Sequence, residues 1–381
     1  MSEKEGFSGD WKKGTFWILA FTLAGTTIGA GIFGLPYVFS KSGFAVGIFW
    51  LFLLGFMMIL INLYLGEITL RNKRIHQLPG YARIYLGKTG EKIMLFTVVF
   101  GIYSALLAYL IGEGQSLSQL FFGHLDYSIY FGVLFWFLMT LLLRQGLGGL
   151  KRTEFFGVLT IIFIIIIISI QFLPQIKTEN LTTVDFSNFF FPFGVILFAL
   201  LGYTSIPELR IESERKGDKK ILKNAIILGT LIPIFLYFVF ALIFLGVLGN
   251  EVEQVSTISF SSLVIVLGVL TMFTSYFVLS FSLKDVFYYD LKRDKLTFIF
   301  VSVTPLVFYL LVTFFDLANF VQVLGIGGAV SGGLAGVLIL IMHIKSKKLS
   351  KRIPEYSIPS SWLAITLLSL ILLVGIIFEV F

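Results

Sequence analysis

Ala24-Gly25-Thr26-Thr27-Ile28-Gly29-Ala30-Gly31-Ile32-Phe33-Gly34-Leu35-Pro36 lies in the middle of the first long apolar segment, Trp17 to Phe39. Four glycines and a proline oppose a continuous helix there. Each glycine costs about 1 kcal/mol relative to alanine, and a proline about 3, in a helix interior. A membrane segment that breaks frees backbone N–H and C=O groups that hydrocarbon cannot satisfy. Such a break persists only where it is buried in protein or faces a water-filled cavity. In secondary transporters the N-terminus of one half-helix then meets an anionic group, and freed carbonyls meet a cation. The stretch reads as the substrate site of a membrane transporter.

The rest of the chain fits that reading. Of 381 residues, 57% are hydrophobic and 13% charged, the composition of a polytopic membrane protein. The absence of cysteine excludes disulfides, thiolate metal sites and redox chemistry. The three histidines, His76, His124 and His343, fall in or near expected loops. A signal peptide is set aside, because the apolar run continues past Phe33 and no soluble domain comes after it.

Eleven apolar segments succeed one another at approximately 15–39, 43–70, 93–113, 127–143, 153–173, 189–208, 222–248, 259–283, 296–315, 318–344 and 361–381. Each is long enough to cross a hydrocarbon core of about 30 Å. With the N-tail (residues 1–14) in the cytoplasm, all but two of the 29 lysines and arginines fall in cytoplasmic pieces, the exceptions being Lys41 and Lys177. This is the positive-inside pattern, and it places the C-terminus outside. The net charge of +7 is thus a matter of topology and anionic lipid contact, not of nucleic-acid binding.

The sixth segment repeats the character of the first. Phe191-Pro192-Phe193-Gly194 precedes Phe198-Ala199-Leu200-Leu201-Gly202-Tyr203-Thr204-Ser205-Ile206-Pro207-Glu208. Segments one and six run in opposite directions, and a break at the same place in two inverted halves marks a site at the repeat interface. The expected fold is all-α: eleven transmembrane helices, with a first repeat over 15–174, a second over 189–344, helices one and six discontinuous, and 361–381 peripheral.

With these stretches in view, the sequence resembles a family. Gly25 to Gly31 followed by Leu35-Pro36 is similar to the first span of the aromatic and hydroxy amino acid permeases, within the amino acid/auxin permease group of the amino acid–polyamine–organocation superfamily. Ala105 to Tyr109 with Gly112-Glu113-Gly114, Glu67, Gly202 to Pro207, and Thr274-Ser275 with Asp285 agree, and the resemblance covers nearly the whole chain. It implies the five-plus-five inverted-repeat fold of LeuT-type transporters and alternating-access amino acid symport. Glu113 departs from the pattern, since related permeases tend to have small residues there. The fifth span also lacks the interior lysine that some proton-coupled relatives carry.

The candidate site residues come from both breaks and from the spans around them. Thr27, Gly29, Ala30 and Gly31 offer backbone amides at a helix N-terminus, suited to an α-carboxylate. Tyr109, Phe198, Gly202 and Tyr203 complete the substrate set, with freed carbonyls near Phe198 and Leu201 accepting from the α-ammonium. Thr271, Thr274 and Ser275 share one helix face; with the carbonyls of Gly25 and Ile28 the resemblance makes them a candidate Na⁺ site. Glu67, Glu113 and Asp285 are candidates for proton coupling or gating, as intramembrane carboxylates are by default; Glu208 lies nearby in sequence. Gly328, Gly332 and Gly336 form a smooth face for close helix packing.

The expected function is cation-coupled import (Na⁺ or H⁺) of neutral, aromatic or hydrophobic L-amino acids across a plasma membrane. An exchanger without obligatory ion coupling and a transporter-like sensor stand as alternatives. A channel lacks a continuous polar pore lining, and no nucleophile, base or metal set for an intramembrane enzyme is present. No cofactor is implied. The partners are an amino acid and the lipid bilayer, and oligomeric state is not encoded in these patterns.

Overall fold

A computed structural model describes residues 3–145, 151–215, 217, 219–287, 297–350 and 352–381. The described residues are almost entirely helical. In chain order the helices are α1 (Glu3–Thr27), α2 (Gly31–Ser42), α3 (Phe44–Arg71), α4 (Leu78–Phe122), α5 (Ser128–Gln145), α6 (Lys151–Phe172), α7 (Phe191–Ala199), α8 (Ile206–Arg215), α9 (Leu222–Leu248), α10 (Ser262–Asp285), α11 (Thr304–Phe314), α12 (Phe320–Gly327), α13 (Leu334–Leu349) and α14 (Trp362–Val380).

Among the described residues, seven helical stretches are long and apolar enough to cross a membrane, and α1 with α2 forms a broken span bent by 58°. Three shorter apolar helices, Ser128–Arg144, Ile161–Gln175 and Ile299–Phe314, fall on the fourth, fifth and ninth apolar segments of the sequence. Two boundaries differ from expectation. The residues expected as a tail are helical from Glu3 and continue into the first span, since no proline interrupts them. The third span is the long α4 of 45 residues rather than 93–113. Pro79 starts it, and Gly87, at a φ of 78°, turns a short first segment into the span.

Each helix divides into two faces. On α3, Phe49, Phe52 and Phe56 are exposed at helical spacing, while Leu51, Leu54, Met58, Ile61, Leu65 and Ile68 are buried. In a bilayer the first face meets lipid and the second meets protein. The core gathers around the two broken spans: α1 packs chiefly on α9, α2 on α7 and α9, and α10 on α4.

Span ten is α12 joined to α13 through a π-helical turn, Gly328–Gly333. A π turn takes an extra residue and shifts the register of the helix beyond it. The three spaced glycines therefore do not share one face. A Cβ at position 328 would lie 2.5 Å from Phe198 N, and one at 332 would lie 2.7 Å from the Leu201 side chain. Gly336 has turned away and receives Leu372 of α14 and Ile61 of α3.

Candidate functional site

The first break is short. Helix α1 ends at Thr27, Ile28 still donates to Ala24 O at 2.9 Å, and α2 begins at Gly31 with Ala30 as its cap, without side-chain assistance. Gly25 lies in the last turn of α1, and Ile28 comes directly after that helix. Close approach explains two of the glycines. A Cβ at position 31 would lie 2.5 Å from Ala199 Cα, so the two broken spans touch there. A Cβ at position 29 would lie 2.6 Å from the Tyr109 hydroxyl. That hydroxyl also faces the Ala30 N–H and the Ser275 hydroxyl.

The second break comes after α7. Leu200 and Leu201 leave the helix, Gly202 is non-helical at a φ of −128° and a ψ of −3°, and Tyr203–Ser205 make one 3₁₀ turn before α8. Ser205 Oγ donates to Gly202 O at 2.8 Å. Tyr203 is buried, with its hydroxyl 3.5 Å from Ser331 O. Phe198 packs on Gly327 and Gly328. The Phe198 carbonyl accepts the Leu201 N–H at 3.1 Å as the chain tightens at the helix end. The last carbonyl of α7 is that of Ala199.

A residue that the sequence does not single out joins the two breaks. Tyr237 of α9 is fully buried, and its hydroxyl lies 2.8 Å from Ala199 O and 3.0 Å from Thr27 O. These carbonyls end α7 and α1. A hydroxyl has one proton, so at any instant it serves one of the two. Two helix C-termini therefore converge, each with its partial negative charge, and share a single donor. Thr27 Oγ1 spends its own proton on Leu23 O at 2.8 Å. The N-terminus of α2, with partial positive charge, lies against the end of α7 at Ala199. Nothing in the sequence separates Tyr237 from the aromatic residues around it, because its partners are backbone atoms of other spans.

The proposed cation residues are only partly gathered. Ser275 reaches the first break beside Tyr109 and Gly29. Thr274 Oγ1 donates back along its own helix, 3.0 Å from Thr271 O, and Thr271 Oγ1 donates to Leu267 O at 2.8 Å. Such back-bonding is the ordinary habit of hydroxyls in apolar helices. Thr271 also lines a small apolar cavity of about 30 Å³ with Ile32, Phe33 and Phe240.

The carboxylates fall into different classes. Glu67 is fully buried and fully engaged: Arg71 Nη2 lies at 2.7 Å, His343 Nε2 at 3.1 Å, Ser357 Oγ at 3.0 Å, and Ile358 N donates at 2.6 Å. His343, near the end of the tenth apolar segment, is buried in α13 and stacks on Tyr64 at 4.1 Å. Glu67 thus ties the segment after α13 to the end of α3. Glu113 is equally buried, but neither oxygen has a hydrogen-bond partner among the described residues. It lies one helical turn beyond Tyr109. Glu208 is exposed. The Asp285 side chain lies outside the described residues.

Residues 12–381 match the model of the tryptophan/tyrosine permease family. Among relatives, the chain is 26% identical to glutamine transporter 2 of Aliivibrio fischeri over 255 residues, 63% of each chain. It is 26% identical to tyrosine-specific transport system 2 of Haemophilus influenzae over 242 residues, 61% of this chain and 58% of that protein. It is 26% identical to the low affinity tryptophan permease of Escherichia coli over 240 residues, 59% and 56%. The chain thus matches less than two thirds of the length of these relatives. Among solved structures, Mhp1, a nucleobase-cation-symport-1 family transporter in a closed conformation with bromovinylhydantoin bound, superposes with a TM-score of 0.62 at 12% identity, over 96% of this chain and 91% of that one. The likeness shows a shared fold, the LeuT-type inverted repeat with broken first and sixth helices.

Proposed function

The chain belongs to the tryptophan/tyrosine permease family, and from that membership and the two facing breaks we propose that it imports neutral aromatic L-amino acids across the plasma membrane, with its N-terminus in the cytoplasm. One observation carries the reading. The N-terminus of α2 and the carbonyls of Thr27 and Ala199 meet at the breaks, with Gly31 against Ala199 and the Tyr237 hydroxyl between the two carbonyls. This polarity complements a zwitterion. The carboxylate is held by the amides of Gly29, Ala30 and Gly31, and the ammonium supplies the donors that the carbonyl pair lacks. Tyr109 and Ser275 close the carboxylate side; Phe198 and Tyr203, with Gly202 between them and Thr27, border the side chain. Import proceeds by alternating access, the two inverted repeats (15–174 and 189–344) rocking about the breaks.

The coupling ion of this proposal is the proton, carried by Glu113. A buried carboxyl with no partner is costly as an anion, so it takes a proton with the substrate and gives it up when the site opens to the cytoplasm. A second reading keeps Na⁺ at Gly25, Ile28, Thr271, Thr274 and Ser275, favoured by the position of Ser275 at the break. The test is uptake of labelled tryptophan, tyrosine and glutamine into proteoliposomes under separate inward H⁺ and Na⁺ gradients. Aromatic uptake driven by H⁺ alone is expected. Uptake driven by Na⁺ alone would replace Glu113 by the hydroxyl set, and exchange without net uptake would make the protein an exchanger.

A further inference from the structure

Helix α14 is the last span, peripheral by its place in the sequence. Leu363, Leu367, Leu370 and Ile377 are indeed exposed. Its last turn behaves differently. The Glu379 carboxyl group enters a notch made by two glycines. A Cβ at position 194 on α7 would lie 2.6 Å from the carboxyl carbon, and a Cβ at position 325 on α12 would collide with Oε1. The N–H of Gly194 faces the carboxylate. Gly194 is the fourth residue of α7, so the carboxylate stands at the first turn of that helix, at the positive end of its dipole. The surroundings hold the fit. Phe378 stacks on Phe190 at 4.1 Å with the rings 4° apart, and the ring of Phe193 is pressed onto Gly375. Ile376 rests on Gly333, and Leu372 on Gly336. A carboxylate at the end of a lipid-facing helix has water available; here it turns inward instead, into space that only glycines leave open.

Helix α7 has nine residues, about 13 Å from end to end. Its far end is the Ala199 carbonyl at the substrate site. We propose that Glu379 is a positioning residue for that site: by holding the N-terminus of α7 it fixes where the Ala199 carbonyl stands relative to Gly31 and Tyr237. The inference rests on reading the breaks as the substrate site, but its first test does not. Hydrogen–deuterium exchange is measured on the purified full chain for wild type, Glu379→Gln and Glu379→Ala. Loss of the carboxylate is expected to speed exchange in 193–201 about fivefold, the size of a charge effect at a helix terminus, while α3 and α9 are unchanged. Gln keeps a hydrogen-bond acceptor and falls between. In proteoliposomes the apparent KM for tryptophan then rises in the same order with little change in maximal rate. Unchanged exchange in 193–201 in both variants would overturn the proposal, as would faster exchange throughout the chain. Should Glu379→Ala fail to fold, Glu379→Gln decides alone. If wild type takes up no aromatic amino acid, the functional proposal falls while the exchange result still judges Glu379.

Discussion

Replacing Tyr237 by phenylalanine removes one oxygen atom and leaves the ring in place. The ring is fully buried, so packing changes little, and the effect isolates the hydroxyl. That hydroxyl is the shared donor to Thr27 O and Ala199 O, at 3.0 and 2.8 Å. Without it, a carbonyl pair at two helix C-termini faces the site with no side-chain donor. A buried polar group left unsatisfied costs about 1–3 kcal/mol, and the empty protein should lose stability by that amount. The bound state should lose less, because the substrate ammonium can serve both carbonyls. In wild type it serves only the one that tyrosine leaves open. The variant should therefore unfold at a lower temperature when empty, yet bind tryptophan more tightly, by about fivefold for each 1 kcal/mol recovered. Thermal unfolding with and without tryptophan, together with titration calorimetry, reads both quantities. An empty variant as stable as wild type would refute the hydrogen-bond accounting. Weaker tryptophan binding would refute the assignment of the ammonium to these carbonyls.

Other substitutions test other parts of the site. Gly29→Ala drives a methyl group into the Tyr109 hydroxyl and should weaken tryptophan binding by about 1–3 kcal/mol, the usual cost of overpacking, measured by titration at matched expression. Gly31→Ala, aimed at the Ala199 backbone, should be worse, because a backbone atom cannot swing aside; recovery of active protein from membranes reads this. Glu113→Gln should preserve folding and substrate exchange while uptake no longer responds to an imposed H⁺ gradient. Glu67→Ala leaves Arg71 and His343 without their carboxylate and should cost about 3–5 kcal/mol, as broken buried ion pairs do. It should appear as lost thermal stability, not as altered ion dependence.

The first broken span was legible because its cause is local: glycine and proline penalties act on the residue itself. The apolar segments were legible for the same reason, and the helices fall on them. The sixth span was legible as a repeat of the first, but its detail was not. Whether the Phe198 or the Ala199 carbonyl faces the site depends on how the chain turns after the helix end. Tyr237, His343 and Glu379 were not legible because their partners lie on other spans, and no pattern around them in sequence announces those partners. Glu67 shows the reverse. One partner, Arg71, stands four residues away in sequence and was readable, whereas His343 and the 357–358 segment were brought to it only by folding. The π turn in span ten belongs with these, since its glycines suggested one continuous face and the extra residue divided it.

The central claim is that the two breaks bind both charges of an amino acid. It is tested most directly by competition against labelled tryptophan in binding to the purified protein, with tryptophan amide, which lacks the carboxylate, and N-acetyl-tryptophan, which lacks the ammonium. Neither should compete at concentrations where unlabelled tryptophan displaces the label completely. If either analogue displaces the label as well as tryptophan does, the corresponding helix end does not hold that charge and the account is wrong.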